Sequence, residues 1–204
     1  MMDMSIKRHD IFVESVFEVD VPEVDNSAIF DFFKEANKNH QGVHRSNLGG
    51  WQFDMKQGMC PEYDTAMDKI VYAVNHIITD VFKMNIPVQI SNSWLNYSSR
   101  GGMNTIHTHP GALFSGVYYI KTSPNTGPIN FIRNDAHAVE MTMFHASASD
   151  YAKKQDRDRF WLTNVQKFPE PSKAFLFSSW LAHEVMETTV DEDRLVAGIN
   201  FVPA

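Results

Sequence analysis

Two histidines, His107 and His109, are separated by one residue in the segment NTIHTHPG, and their side chains could bind a metal ion. Side chains two positions apart along a strand point to the same face, so both imidazoles could enter one cavity. Imidazole nitrogen is a common ligand of first-row transition metals. The pair alone is a weak indication, because one histidine could be a hydrogen-bonded core residue while the other packs against Pro110.

A third histidine and an arginine follow at the far end of the chain. His183 comes after an apolar segment and a polar turn, and Arg194 opens the next apolar segment eleven residues later. A guanidinium is costly to bury without an anionic partner. Arg194 could therefore pair at the surface with a neighbouring carboxylate from residues 191–193, or it could bind a ligand carboxylate with two parallel hydrogen bonds. Together the four side chains indicate a metal and an anionic co-substrate.

The order of these residues resembles that of the 2-oxoglutarate/Fe(II)-dependent dioxygenases. Those enzymes carry His-x-Asp or His-x-Glu, a long gap, a second histidine and then an arginine in the following strand. The resemblance spans roughly residues 88–203. It is closest to the prolyl-hydroxylase-like branch, in which a tyrosine precedes the first ligand histidine by ten residues, as Tyr97 precedes His107. That branch also has a strand ending in Tyr-Tyr-aliphatic, like the strand that contains Tyr119.

Four longer segments are similar to the 2-oxoglutarate/Fe(II) oxygenases of marine bacteria and their phages. They are SNLGGWQ, HTHPGALFSGVYYI, LFSSWLAHEV and RLVAGINF.

The resemblance implies an enzyme that uses Fe(II), 2-oxoglutarate and O2, hydroxylates an unidentified peptide or small molecule, and releases succinate and CO2. It implies that His107, His109 and His183 bind the metal.

For the co-substrate, the resemblance implies that Arg194 and Tyr119 bind the distal carboxylate and that Tyr97 lies near the C1 end. Asn200, six residues after Arg194, falls on the same strand face by even spacing. It could line the pocket or be an ordinary asparagine at a strand end.

The chain departs from the family pattern at His109, where Asp or Glu is expected. A carboxylate leaves an Fe(II) site with net charge +1, whereas three neutral imidazoles leave +2. His109 could instead lie beside the metal without binding it, with water or a carboxylate such as Asp135 as the third ligand. The protein could also be an inactive homologue.

A different class is a cupin-like metal-binding protein or enzyme that does not use 2-oxoglutarate. Gly101 ahead of His107 and His109 fits the opening of a cupin motif. The glutamate that should follow is missing, and the second cupin motif is not found.

The elements that must position these side chains are short β-branched or aromatic segments after residue 85. Turn-type clusters such as SSRGG and SPNTGP separate them, which favours an antiparallel sandwich or barrel. We expect a mostly β protein with N-terminal helices (α+β), and the resemblance implies a double-stranded β-helix (jelly-roll) core over residues 86–204. Residues 134–168 interrupt the pattern and are interpreted as an insertion or lid, in which His137 and His145 could contact substrate.

Residues 1–85 are predicted to pack on this core as a strand and helices. Residues 10–20 indicate a strand, and Asp25 could cap a short helix. Pro61 opens a clear amphipathic helix that reaches Val81. The Gly-rich segment 41–53 is interpreted as a loop anchored in the core by Trp51.

Composition narrows the function further. The chain has 204 residues, 43% of them apolar and 12% aromatic, a net charge of −7 and one cysteine. These values exclude a disordered chain, a disulfide framework and mainly electrostatic binding to nucleic acid or lipid. We found no membrane-length apolar run and no continuous apolar leader, and so expect a cytoplasmic monomer or homodimer, in bacteria or in the host if phage-encoded.

Overall fold

The structure is a computed structural model that describes residues 7–10, 12–137 and 162–204. Its helices are α1 (Asn26–Asn39) and α2 (Pro61–His76), and α2 continues into a π-helical turn (Ile77–Val81). Its strands are β1 (Val16–Asp20), β2 (Asn47–Met55), β3 (Val88–His107), β4 (Phe114–Lys121), β5 (Ile129–Ile132), β6 (Asn164–Lys167), β7 (Lys173–Ser178), β8 (Ala182–Val185) and β9 (Arg194–Pro203). The prediction of a mostly β chain is confirmed, with few helices among the described residues.

The strands form one curled antiparallel sheet in the order β1-β7-β4-β9-β3-β8-β5-β6, with β2 paired to β3. Strand β3 pairs with two different strands along its length, because residues 88–98 pair with β9 whereas Asn104 and His107 pair with β8. The end of β3 therefore lies next to the start of β8.

A large bulge lies in the middle of β3. Gly50 pairs with Ser98 and Leu48 with Met103, so two steps along β2 span five along β3. Gly101 has φ 83°, which a residue with a side chain rarely adopts. The segment SSRGG was predicted to be a turn between strands, and that prediction is wrong: its turn-type residues bend one continuous strand.

The interpretation of residues 41–53 as a loop is also wrong over its second half, which forms β2. Gly50 permits the close pairing, since a Cβ there would lie 2.5 Å from the Tyr97 carbonyl oxygen. Trp51 is 8% exposed and its Nε1 donates to the His40 carbonyl at 2.9 Å, so it lies in the core as predicted. The early strand is shorter than residues 10–20 and begins at Val16.

Alternation along β9 divides the sheet into an outer and an inner face. Leu195, Ala197 and Ile199 pack with the apolar side chains of α1 and α2 in the outer core. Val196 belongs to the inner cluster, whose other members include Val117, Tyr119, Phe131 and Phe177. Arg194 shares the inner face with Val196, because the two are two residues apart on one strand.

Most of the predicted insertion or lid, including His145, lies outside the described residues. Its last part forms β6, which pairs with β5. In the described part of the chain, neither helix has the length and apolarity needed to span a bilayer.

Candidate active site

The three predicted ligand histidines come together where the end of β3 meets the start of β8. His107 ends β3 and is the pairing partner of His183 on β8. His109 follows two residues later and is held by its backbone N–H, which donates to the Ser179 carbonyl at 2.9 Å. One ring nitrogen from each lies within 4.8 Å of the others, and the Nε2 atoms of His109 and His183 are 3.2 Å apart.

Backbone hydrogen bonds orient two of the rings. Nδ1–H of His107 donates to the Thr105 carbonyl at 2.7 Å, and Nδ1–H of His183 donates to the Leu181 carbonyl at 2.9 Å. Each bond places the ring proton on Nδ1 and leaves the Nε2 lone pair available to a metal.

The site keeps all three imidazoles neutral. Burial lowers the pKa of His109 to about 3, with repulsion from His183 and His107 acting in the same direction. Burial lowers the pKa of His183 to about 4 against the opposing bond to Leu181, and it also lowers the pKa of His107. Neutral imidazole is the form that binds a metal, so the donor set fits Fe(II) without first losing protons.

The structure does not support Asp135 as the third ligand. Asp135 pairs with Arg133 at 2.5 Å and has a side chain that is 60% exposed. In the described ranges no carboxylate joins the histidine cluster, and His137, which is exposed, is not part of it either.

Arg194 is buried, with 1% exposure. Its Nη1 donates to the carbonyls of Thr126, Gly127 and Met186, and its Nη2 donates to Ser98 Oγ at 3.1 Å. Burial lowers its pKa to about 10, which leaves it charged at neutral pH. Within residues 7–10, 12–137 and 162–204 no carboxylate forms an ion pair with this guanidinium.

The surface ion pair considered for Arg194 is therefore wrong. Asp191 pairs with Arg100 at 3.2 Å, and Asp193 accepts hydrogen bonds from Tyr97 Oη at 2.7 Å and Lys121 Nζ at 3.3 Å. The acidic loop before β9 has its own partners on the outer side of the sheet.

Tyr119 shares the inner face with Arg194. It is 1% exposed and pairs with Val196, two residues from Arg194. Burial raises the pKa of its phenol, and the charge of Arg194 acts in the opposite direction. The structure thus brings Tyr119 and Arg194 into one buried environment.

Asn200 lies on the same face but at its other end, about 20 Å along the strand from Arg194 by strand rise. Its Oδ1 accepts from Ser115 Oγ at 2.8 Å, and its Nδ2 donates to Asn92 Oδ1 at 3.2 Å. The structure places it in a polar row across β4, β9 and β3.

The structure places Tyr97 on the outer face, away from Arg194 and Tyr119, and the predicted role near the co-substrate is corrected. Tyr97 stacks on Phe33 of α1, with ring centroids 4.6 Å apart, and bonds Asp193. Its neighbour Ser98 contacts Arg194, and adjacent strand residues point to opposite faces. The bulge in β3 breaks the simple count of ten residues back from His107.

Sequence reasoning missed the inner-face residues of β3, which are Trp94, Asn96 and Ser98. The Trp94 ring is 5.8 Å from that of His109, and a Cβ at Gly198 would lie 2.3 Å from the indole. Gly198 therefore lets the indole lie flat against the sheet. Alternation counted back from Ser98 would have found all three, had the bulge been recognised.

Comparison of the sequence with protein families gives one match. The family described as "Putative 2OG-Fe(II) oxygenase" matches residues 92–200, more than half of the chain. The chain belongs to this family. Its members are oxidoreductases that use Fe(II), 2-oxoglutarate and O2, so the predicted enzyme class and cofactors are confirmed and the cupin-like alternative is set aside. No curated protein matches the sequence.

Solved structures of the same fold include HygX from Streptomyces hygroscopicus with nickel and 2-oxoglutarate bound (11% identity, 94% of this chain and 84% of that chain, TM-score 0.62). A prolyl-4-hydroxylase from Pseudomonas putida covers 94% of both chains at 11% identity, with a TM-score of 0.61. The α-ketoglutarate-dependent epimerase SnoN from nogalamycin biosynthesis has 9% identity over 94% of this chain and 77% of that chain, with a TM-score of 0.66. At these identities the likeness confirms the fold.

Proposed function

We propose that His107, His109 and His183 hold Fe(II), that Arg194 and Tyr119 bind the distal carboxylate of 2-oxoglutarate, and that the enzyme hydroxylates a small-molecule or peptide substrate. The proposed division is a jelly-roll core of residues 86–204 and an N-terminal part, residues 1–85, whose α1 and α2 pack on the outer face while β1 and β2 add strands to the sheet.

The observation that carries the proposal is a buried guanidinium that forms no ion pair with any carboxylate of the described residues. Taking an unpaired charge out of water is expensive, so a side chain such as Arg194 calls for a carboxylate partner. Backbone carbonyls occupy Nη1, and Ser98 takes one hydrogen of Nη2. The edge formed by Nε–H and the second Nη2–H makes no bond with the described residues and matches the two oxygens of a carboxylate.

The histidine cluster fits the metal by its donor chemistry. Three neutral imidazoles, with one ring nitrogen of each within 4.8 Å of the others, would hold Fe(II) and would leave room for further ligands. Bound Fe(II) supplies the activation of O2 coupled to oxidation of 2-oxoglutarate to succinate and CO2. With His109 in place of a carboxylate, the protein leaves the full +2 charge on the ion.

The chain's own residues bind the co-substrate and exclude water. Phe177 packs edge-on against His183 at 4.7 Å between centroids, and Phe131 lies at 6.1 Å. With Val117 and Val196 they form an apolar wall beside the charged groups. A dry wall strengthens the attraction between Arg194 and a carboxylate.

The substrate is proposed to enter on the side of Trp94 and the Asn92–Asn200 row, because both are partly open to solvent and Trp94 adjoins His109. Two solved structures support the two substrate classes: one is a prolyl-4-hydroxylase, and HygX is also known with hygromycin B bound.

The test is the thermal stabilisation of the protein by 2-oxoglutarate in the presence of Fe(II) without oxygen. We expect the melting temperature to rise for the wild type and for Arg100→Met, a matched loss of an exposed arginine, and not for Arg194→Met. Equal stabilisation of Arg194→Met, or none of the wild type, would overturn the proposal.

A further inference from the structure

Two amide side chains, Asn96 and Gln52, lie on the inner face of the sheet by the alternation of β3 and β2, and they have no role in the function proposed above. They are direct partners across β3 and β2. Asn96 lies two residues from Ser98, which bonds Arg194, and two residues from Trp94, which adjoins His109. Each two-residue step is about 7 Å along a strand, so the amides lie between the arginine and the histidines.

Both amides are buried and have unused hydrogen-bonding capacity. Asn96 is 6% exposed, and its Oδ1 is buried without a partner. Gln52 is 2% exposed, and its amide makes no hydrogen bond with the rest of the described chain. A buried polar atom left unpaired costs free energy, so the Asn96 oxygen, with the unused Gln52 amide beside it, indicates a ligand that completes these bonds.

The other end of the Asn96 amide is held by a short chain of bonds. Its Nδ2 donates a hydrogen bond to Asn104 Oδ1 at 2.9 Å, and Asn104 Nδ2 donates one to Ser46 Oγ at 3.2 Å. An amide has the same shape when its oxygen and nitrogen are exchanged. With both asparagines turned over, Asn104 donates to Asn96 and accepts from the Ser46 hydroxyl, and Asn96 presents an N–H to the cavity.

We infer that Asn96 and Gln52 donate hydrogen bonds to the metal-side carboxylate of the co-substrate, and that Asn96 performs the role on β3 that the sequence assigned to Tyr97. The inference rests on the proposed function, which puts the distal carboxylate at Arg194. A dicarboxylate held there reaches toward the histidines past the two amides. Neutral donors add no charge beside the +2 metal, so they orient the carboxylate without competing for it.

The experiment is calorimetric titration of 2-oxoglutarate into protein loaded with Ni(II), which does not react with O2. Asn96→Asp keeps the shape of the side chain but places its negative charge next to the carboxylate of 2-oxoglutarate, which it repels. We expect it to weaken 2-oxoglutarate binding by about tenfold or more, because a hydrogen bond to a charged group is lost and repulsion is added. Gln52→Met should weaken binding by about threefold to tenfold. Ni(II) affinity should not change in either variant.

Tyr97→Phe is the control and should bind 2-oxoglutarate like the wild type. Wild-type affinity in Asn96→Asp and Gln52→Met, or a loss in Tyr97→Phe that matches theirs, would overturn the inference. If Asn96→Asp does not fold, Gln52→Met decides alone, since Gln52 makes no other side-chain bond. Failure of the proposed function is distinct: it would appear as no heat with the wild type, or as unchanged binding in Arg194→Met.

Discussion

At one end of the cavity three imidazoles are kept neutral by burial, whereas at the other end a guanidinium is buried with its charge intact. The first group offers neutral donors that suit a cation, and the second offers a charged donor that suits an anion. In the proposed function a metal ion and a dicarboxylate are bound by the two groups together. The contrast teaches that neither group explains the site alone, and it can be tested by changing one group at a time.

The largest effect is expected at the histidine end. His183→Ala removes a buried histidine that we propose binds the metal, and it should lower Fe(II) or Ni(II) affinity by more than about 100-fold, since loss of groups that merely orient ligands already costs 10- to 100-fold. Competition with a coloured chelator measures it. His76→Ala, a surface histidine paired with Asp80, should leave the affinity unchanged. A metal affinity equal to that of the wild type in His183→Ala would remove the metal centre from the account.

Two variants of Arg194 separate the contribution of its charge from that of its planar shape. Arg194→Lys keeps the charge but loses the planar fork, and we expect 2-oxoglutarate to bind about tenfold more weakly while Ni(II) affinity stays the same. Arg194→Met should lose at least about 30-fold, because the carboxylate then has no charged partner. Calorimetry ranks the three proteins. If lysine and methionine were equally poor, shape alone would matter, and if both bound normally the arginine would have no role.

A smaller effect is expected from His109→Asp, which restores the family's usual ligand. The metal affinity of His109→Asp should stay within about tenfold of the wild type. The metal affinity of His109→Ala should fall further, because only aspartate retains a ligand atom. The chelator competition used for His183 measures both variants. If His109→Ala bound metal as well as the wild type, His109 would lie beside the metal rather than on it.

The smallest effect is expected from Tyr97, on the outer face of β3, which pairs with the strand that carries Arg194. Tyr97→Phe removes the bond to Asp193 and should reduce the free energy of unfolding by about 1 kcal/mol, measured by urea denaturation. Binding of 2-oxoglutarate should change less than about twofold, since the side chain does not face the cavity. A tenfold loss of 2-oxoglutarate affinity would place Tyr97 in the site after all.

The same residue gives a pH dependence with a definite sign. Burial, with the bond to Asp193 and its charge, raises the pKa of the Tyr97 phenol from 10 to about 12. The protonated phenol is thus favoured in the folded state, so its contribution to stability is complete below pH 10 and is lost as the pH rises to 12. Difference absorbance of wild type against Tyr97→Phe should show one tyrosine titrating near pH 12. Titration of that tyrosine at pH 10 would contradict the placement.

The sequence was sufficient for the residues whose chemistry is rare. The order of three histidines and a strand-opening arginine along the chain predicted the histidine cluster, and a binding role for Arg194 was one of two alternatives, of which the structure excludes the surface ion pair. The alternation of β9 also predicted that Arg194 and Asn200 share a face, because a strand without a bulge keeps its period of two.

Two of the errors, the turn predicted at SSRGG and the role given to Tyr97, come from one local feature. The bulge in β3 adds residues that no periodic pattern anticipates, so the count from His107 selected Tyr97 when the inner face belongs to Trp94, Asn96 and Ser98. The same Gly-rich character hid β2, since glycines that permit close pairing are also typical of loops. Backbone geometry that depends on a partner strand cannot be read from one segment.

The most direct measurement is the affinity of 2-oxoglutarate for the wild-type protein with and without Ni(II), by calorimetry under one set of conditions. If the dicarboxylate joins the two ends of the cavity, metal should strengthen its binding by at least about tenfold, and 2-oxoglutarate should strengthen metal binding by the same factor. Equal affinity in the presence and absence of metal would show that the histidines and Arg194 do not share a ligand.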